Sequence, residues 1–179
     1  MLKRIAAIAL IVLSLSLQGC VSATASLKSY VNSYNGYQFS YPPGWLPVKV
    51  ENGPDVVFHD LIEETENVSV IISDVPDGKR LQDLGSPTDV GYRLSKNAIA
   101  PANSGRKAEL VNAESHNDGE TTYYLLEYAV QLPTQERHNL ASVAVRRGQL
   151  FTFNLSTTEK RWAKQKALFQ QIVNSFSVY

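Results

Sequence analysis

From Tyr34 onward the chain alternates between short segments of period two and clusters of turn residues. Residues 36–41, GYQFSY, put Tyr37, Phe39 and Tyr41 on one side of a strand, with Gln38 and Ser40 opposite. Pro42-Pro43-Gly44 ends it, because two prolines remove ladder donors and the glycine supplies a turn. Residues 45–50 resume as an edge strand, since Pro47 does not suit a central one. Residues 55–60 and 67–74 are the next two strands. The second, NVSVIISD, is β-branched and almost continuous, which predicts a central strand covered on both faces.

The period then changes. Pro76-Asp77-Gly78 is a turn, residues 81–84 a short helical piece, and residues 88–99 a helix capped by Ser86 or Thr88 and stopped before Pro101. Its apolar positions Val90, Leu94 and Ala98 recur four apart. Strands return at 108–115, ahead of the hairpin signal His116-Asn-Asp-Gly119. Residues 123–130 are apolar on both faces except at Glu127. Residues 140–146 and 150–155 form a second hairpin around Arg147-Gly148-Gln149, with Phe151, Phe153 and Leu155 on one face. The last element is a helix over 159–175, opened by the capping-box pattern Ser156-Thr-Thr-Glu159. Trp162, Phe169, Ile172, Val173 and Phe176 share its inner face. The sum is an α+β fold, an antiparallel sheet of about six strands flanked by helices.

The first 20 residues follow a different rule. Lys3 and Arg4 precede thirteen mostly apolar residues, 5–17, which carry no charge. That run is shorter than the roughly 20 residues an unaided spanning helix needs, and has the length of an export signal's apolar region. Leu17-Gln18-Gly19-Cys20 then resembles the lipobox of bacterial lipoproteins, where cleavage precedes the cysteine. The resemblance implies a diacylglycerol thioether on Cys20 and acylation of its new amino terminus, a multi-chain anchor that holds a membrane stably. Residues 1–19 are thus expected to be a signal peptide, 20–33 a lipidated tether in which Tyr30 and Val31 could pair as a first strand, and 34–179 the folded domain.

Composition narrows the function more than the fold. The chain has 179 residues, 44% of them hydrophobic, with 17 basic and 17 acidic side chains. Loss of residues 1–19 removes Lys3 and Arg4 and leaves 15 basic against 17 acidic, so no global field attracts nucleic acid. The single cysteine, Cys20, permits no internal disulfide. No G-x-S-x-G, G-x-G-x-x-G or phosphate-binding loop occurs, which argues against hydrolase and nucleotide chemistry. Glu63, Glu64 and Glu66 read as a solvated loop.

Three short pairings could touch a metal: His59 with Asp60, His116 with Asp118, and Glu136 with His138. Imidazole with carboxylate suits zinc, but tight sites assemble three or four protein ligands and each pair offers two. Two N-x-S tripeptides, Asn67-Val-Ser69 and Asn154-Leu-Ser156, lie in predicted strands and are discounted as glycosylation acceptors. Arg146 with Arg147, and Lys160 with Arg161, are small basic clusters suited to an acidic partner or anionic headgroups.

A series of segments is similar to the PsbP family of extrinsic photosystem II proteins: GYQFSYPPGW at 36–45, ENVSVII at 66–72, LGSPTDVG at 84–91, RHNLAS at 137–142, RGQLFT at 147–152, Arg161-Trp162 and NSF at 174–176. The lipobox points to the family's cyanobacterial lipoprotein members. The resemblance implies an α-β-α sandwich on the lumenal side of the thylakoid membrane, no catalysis, and photosystem II subunits or assembly intermediates as partners of a monomer. Plant members support calcium and chloride retention through an extended N-terminal arm, which residues 21–33 do not match. That departure favours a role in assembly or stabilisation with no required cofactor, zinc or calcium being the ions that could bind. A zinc- or copper-binding lipoprotein of the lumen or periplasm is the alternative reading.

Overall fold

The computed structural model describes residues 27–76 and 78–179; the expected signal peptide, Cys20 and the first part of the expected tether lie outside the described residues. Strands β1 (Lys28–Asn32), β2 (Tyr37–Tyr41) and β10 (Ser177–Val178) form one small antiparallel sheet in the order β1-β2-β10. The larger sheet contains β3 (Trp45–Val48), β4 (Val56–Asp60), β5 (Asn67–Asp74), β6 (Lys107–Asp118), β7 (Thr121–Gln131), β8 (Glu136–Arg146) and β9 (Gln149–Thr158). Their order is β3-β4-β5-β9-β8-β7-β6, every pair antiparallel. Helix α1 (Pro87–Leu94) runs on into a π-helical turn at Ser95–Ile99, and α2 (Glu159–Asn174) follows β9 directly. The α+β class and the helix-flanked sheet hold; the strand count rises because the hairpin arms are long and β1 and β10 add a second sheet.

Each face of the large sheet carries its own core. On one, Phe39, Phe58, Phe153, Phe169, Ile172 and Phe176 pack between the large sheet, α2 and the small sheet. Phe153 has no exposure and lies 4.8 Å from Phe39 and 5.1 Å from Phe176. The expected inner face of α2 is the one that is buried. On the other, Leu81, Val90, Leu126, Tyr128 and Val143 pack under α1. That helix sits low on the sheet at Gly91, where a Cβ would fall 2.8 Å from Leu110 Cδ2 and where the backbone carbonyl accepts from the Tyr128 hydroxyl at 3.0 Å.

Three local expectations change and one open choice is resolved. Residues 28–32, assigned to the tether, pair fully with β2, so Tyr30 and Val31 do form a first strand and the folded domain includes residues before 34. Strand β5 is covered on one face only: Val68 and Val70 are buried, but Ile71 is 38% exposed, because α1 lies over β6 and β7 and stops short of β5. The α2 cap is Thr158, whose hydroxyl accepts from Arg161 N at 3.3 Å. Ser156 cannot cap, because β9 keeps it in extended pairing opposite Asn67 and Asn139. Ser86, rather than Thr88, caps α1 in a reciprocal box with Asp89. Two interruptions mark the outer strands of the large sheet: Pro47 within β3, and a bulge in β6 between Leu110 and Asn112.

Phe153→Ala should lower unfolding free energy by about 3–5 kcal/mol, the usual cost of emptying a buried aromatic site. Leu46→Ala, on the half-exposed outer strand, should change it by less than about 0.5 kcal/mol. Urea denaturation of the two variants checks both.

Candidate functional site

The polar residues gather where β9 hands over to α2. Glu66, at the end of the β4–β5 loop, is 1% exposed and receives Arg161 bidentately, Nε to Oε2 at 2.7 Å and Nη2 to Oε1 at 2.8 Å. The Thr157 hydroxyl donates to the same carboxylate. Hydrogen bonding to Glu66 holds the Arg161 guanidinium above its ordinary pKa. Next to this pair, Asp60 accepts from the backbone of Ile62 and Glu63 at 2.7 and 2.8 Å and from the Trp45 indole at 3.1 Å. Desolvation opposes ionisation of Asp60. The Glu63 and Ile62 N–H groups, the Arg161 charge and the indole outweigh it and hold the carboxyl below its usual range.

His138 lies on the other side of the same junction, stacked on Trp162 with centroids 4.0 Å apart. Its Nδ1 meets Glu159 and its Nε2 meets Glu127, each at 2.9 Å, an arrangement fully satisfied when both nitrogens carry a proton. Lys166 approaches Glu127 at 3.8 Å. Glu127 was the one charge in an otherwise apolar strand, and a buried charge requires a partner, so the sequence carried a signal for this cluster.

The three expected metal pairs stay apart. Asp60 is occupied by the turn and Trp45, and His59, its neighbour along the strand, points to the opposite face. His116 stacks on Tyr123 at 5.2 Å near Asp118 at the far end of β6. His138 turns to Glu127 and Glu159 rather than to Glu136. Those two carboxylates sit on opposite ring nitrogens, so they diverge instead of converging on one point. Among the described residues no three His, Cys, Asp or Glu side chains form a group that could hold a metal.

The basic clusters change in composition. Arg146 and Arg147 are exposed at the β8–β9 turn, where Arg147 and Gly148 take φ of 52° and 74° as a two-residue hairpin requires. Lys79 and Arg80 join them around a shallow depression of about 300 Å³ whose lining also includes Gln82, Thr122 and one acid, Glu120, so four cations face a single carboxylate there. Arg80 reaches Asp83 at 3.6 Å, so its charge is only partly balanced. Lys160 is exposed, but Arg161 is engaged by Glu66. The two clusters stand at opposite ends of β9, roughly 30 Å apart by strand rise, and do not make one surface. Glu66, read in the sequence as solvated, is instead the acid that holds this end of the fold together.

Glu66→Gln should destabilise by about 3–5 kcal/mol, because Arg161 and Thr157 lose the carboxylate they were arranged around. The folded pKa of Asp60 lies below its unfolded value of about 3.9, so its contribution is complete above that value and disappears as pH falls through the folded one. Stability measured from pH 6 down to about pH 2 should therefore fall less steeply in Asp60→Asn than in the parent protein.

Comparison with known proteins bears on the whole of this arrangement. The PsbP family profile matches residues 25–178. The protein CyanoP of Thermosynechococcus vestitus is 52% identical over 100% of both chains, and CyanoP of Synechocystis sp. is 46% identical over 100% of both. The solution structure of the Synechocystis protein covers 92% of this chain and 99% of its own, at 48% identity and a TM-score of 0.76. A yeast Ran-binding protein, Mog1p, shares the fold alone, at 12% identity and a TM-score of 0.55. With a profile match across the folded domain and full-length relatives at such identity, the chain belongs to the PsbP family.

Proposed function

We propose that this protein is a non-enzymatic, lipid-anchored component of the thylakoid lumen that associates with photosystem II and assists its assembly or stabilises its oxygen-evolving side. Membership of the PsbP family over residues 25–178 carries this reading. The ordered series of positive residues, apolar run and Leu17-Gln18-Gly19-Cys20 supports the anchor. Strand β1 supports assembly over direct ion retention. With β1 pairing from Lys28, only seven residues, 21–27, lie between Cys20 and the first strand, and the eight steps from Cys20 to Lys28 reach about 28 Å when fully extended.

The basic depression of Lys79, Arg80, Arg146 and Arg147 is the surface best suited to an acidic subunit. The β1–β2 turn lies beside it: a Cβ on Gly36 would come within 3.4 Å of Arg147. Residue 28 begins β1 at the end opposite this turn, so the patch lies at the end of β1 away from the proposed point of attachment, which supports a protein partner over headgroups. Anchoring raises the local concentration at the membrane, which lets a modest contact of this kind suffice.

Tagged protein recovered from mildly solubilised thylakoids should bring photosystem II subunits or precursors with it. Recovery without any of them would overturn the proposal. Charge reversal at Arg146→Glu with Arg147→Glu should reduce that recovery by about tenfold with the fold intact by circular dichroism. Cys20→Ser should move the protein to the soluble fraction after a salt wash; persistence on membranes would mean that protein contacts alone hold it.

A further inference from the structure

The face of the large sheet under α1 is covered unevenly. Over β7 it is apolar and buried and over β6 apolar and partly buried, but over β5, β9 and the start of β8 it carries Ser69, Asn154, Ser156, Arg137 and Asn139. Pairing register sets Ser69 beside Asn154, and Ser156 beside Asn139. These residues floor a cleft of about 370 Å³, and its opposite wall is apolar: Leu94 and Ile99 from the end of α1 and its π-helical turn, with Leu132. The two N-x-S tripeptides discounted as glycosylation acceptors therefore contribute all four of their polar residues to one cavity.

The hydrogen bonds along this floor run in one direction. Arg137 is 7% exposed; its Nε and Nη2 donate to the Ser156 hydroxyl at 3.1 and 2.9 Å, and Nη2 donates also to the Thr65 carbonyl. Ser156 donates to Asn139 Oδ1 at 3.1 Å, and Asn139 Nδ2 donates to Asn154 Oδ1 at 3.2 Å. Among the described residues the acceptors of the row are taken, while Arg137 Nη1 and Asn154 Nδ2 have no acceptor. No buried side-chain nitrogen among the described residues lacks a partner, so these groups open to solvent. Among the described residues no Asp or Glu lines the cleft and none lies within salt-bridge distance of Arg137, while Arg106 at the rim adds a second cation. Burial pulls the Arg137 guanidinium below its ordinary pKa, and the charges of Glu63 and Glu66, too far away to pair with it, offset that only in part.

A nearly buried cation, a row of donors and a facing apolar wall lack one thing, an anion with an apolar body. We infer that this cleft binds a small organic carboxylate, its charged group on Arg137 Nη1 and Asn154 Nδ2 and its apolar part against Leu94, Ile99 and Leu132. The volume lies within the range of small-molecule sites. An inorganic anion would leave the apolar wall unmatched, and a neutral ligand would leave the guanidinium unpaired.

The test is a titration of the ¹⁵N-labelled full chain with 4-phenylbutyrate, 4-phenylbutanol, inorganic phosphate and a pentapeptide ending in a free phenylalanine carboxylate. Saturable shifts of the Arg137, Asn139 and Asn154 side chains are expected with 4-phenylbutyrate, with the alcohol and phosphate at least about tenfold weaker. Arg137→Gln should weaken binding by about tenfold or more. Because Arg137 also ties Ser156 to Thr65, Ala98→Trp is the second variant: Ala98 is exposed on the cleft wall, and a large ring there should close it and abolish binding with thermal stability unchanged. Absence of saturable shifts, equal response to the alcohol or phosphate, or binding indifferent to Ala98→Trp would overturn the assignment. So would tighter binding of the peptide, which would make the cleft a receptor for a chain end.

Discussion

Phe153, at the middle of β9, touches Phe39 of β2 and Phe176 just beyond α2, so segments more than a hundred residues apart in the chain meet on one side chain. The three-stranded sheet depends on this contact. Strands β1, β2 and β10 are too few and too short to be stable in water alone, and β10 has only two residues. Tyr37 and Phe39 are the small sheet's inward residues, both essentially without exposure, and they bury it against the large sheet and α2. The position of the chain's first ordered strand, and so the point from which any anchor acts, is therefore set by aromatic packing at the centre of the domain.

The opposite face shows what happens where such cover stops. Helix α1 is short, sits low on the sheet because of Gly91, and shields β6 and β7 while leaving β5 and β9 to polar side chains. The polar floor is not a packing fault: each residue of the Arg137–Ser156–Asn139–Asn154 row is hydrogen-bonded to the next. The Glu66–Arg161 pair, by contrast, closes the end of the sheet with a charge on each side. One guanidinium has its carboxylate within the protein and the other does not, and this difference separates a structural residue from a binding one.

The sequence was most readable where local pattern and tertiary role coincide. The buried stripe of α2, the inward aromatics of 36–41 and the Arg147-Gly148 turn follow from periodicity and backbone freedom within a few residues. Glu66 was not readable, because its partner lies 95 residues away and nothing adjacent to Glu66 announces it. The α2 cap slipped from Ser156 to Thr158 because strand pairing held Ser156 extended, a tertiary constraint stronger than the local capping pattern. The cleft left a trace, polar residues two apart on strands otherwise rich in Val, Ile, Leu and Phe. Read one strand at a time, that trace resembled a modification motif; only the register, which aligns β5, β9 and β8, turns it into a surface.

Pro47 and the bulge after Leu110 fall in the two strands that end the large sheet, β3 and β6. A terminal strand is an open template on which another copy of the chain can extend the sheet. Proline is compatible with pairing only where its missing N–H faces outward, so Pro47 interrupts the donor row on that side. The bulge twists β6 and breaks the register that a newcomer would have to follow, and Lys107, Glu109 and Glu114 add charge along it. If the proposed anchor crowds copies on a membrane surface, where they would meet far more often than in free solution, a domain so terminated at both margins resists growing into a continuous intermolecular sheet.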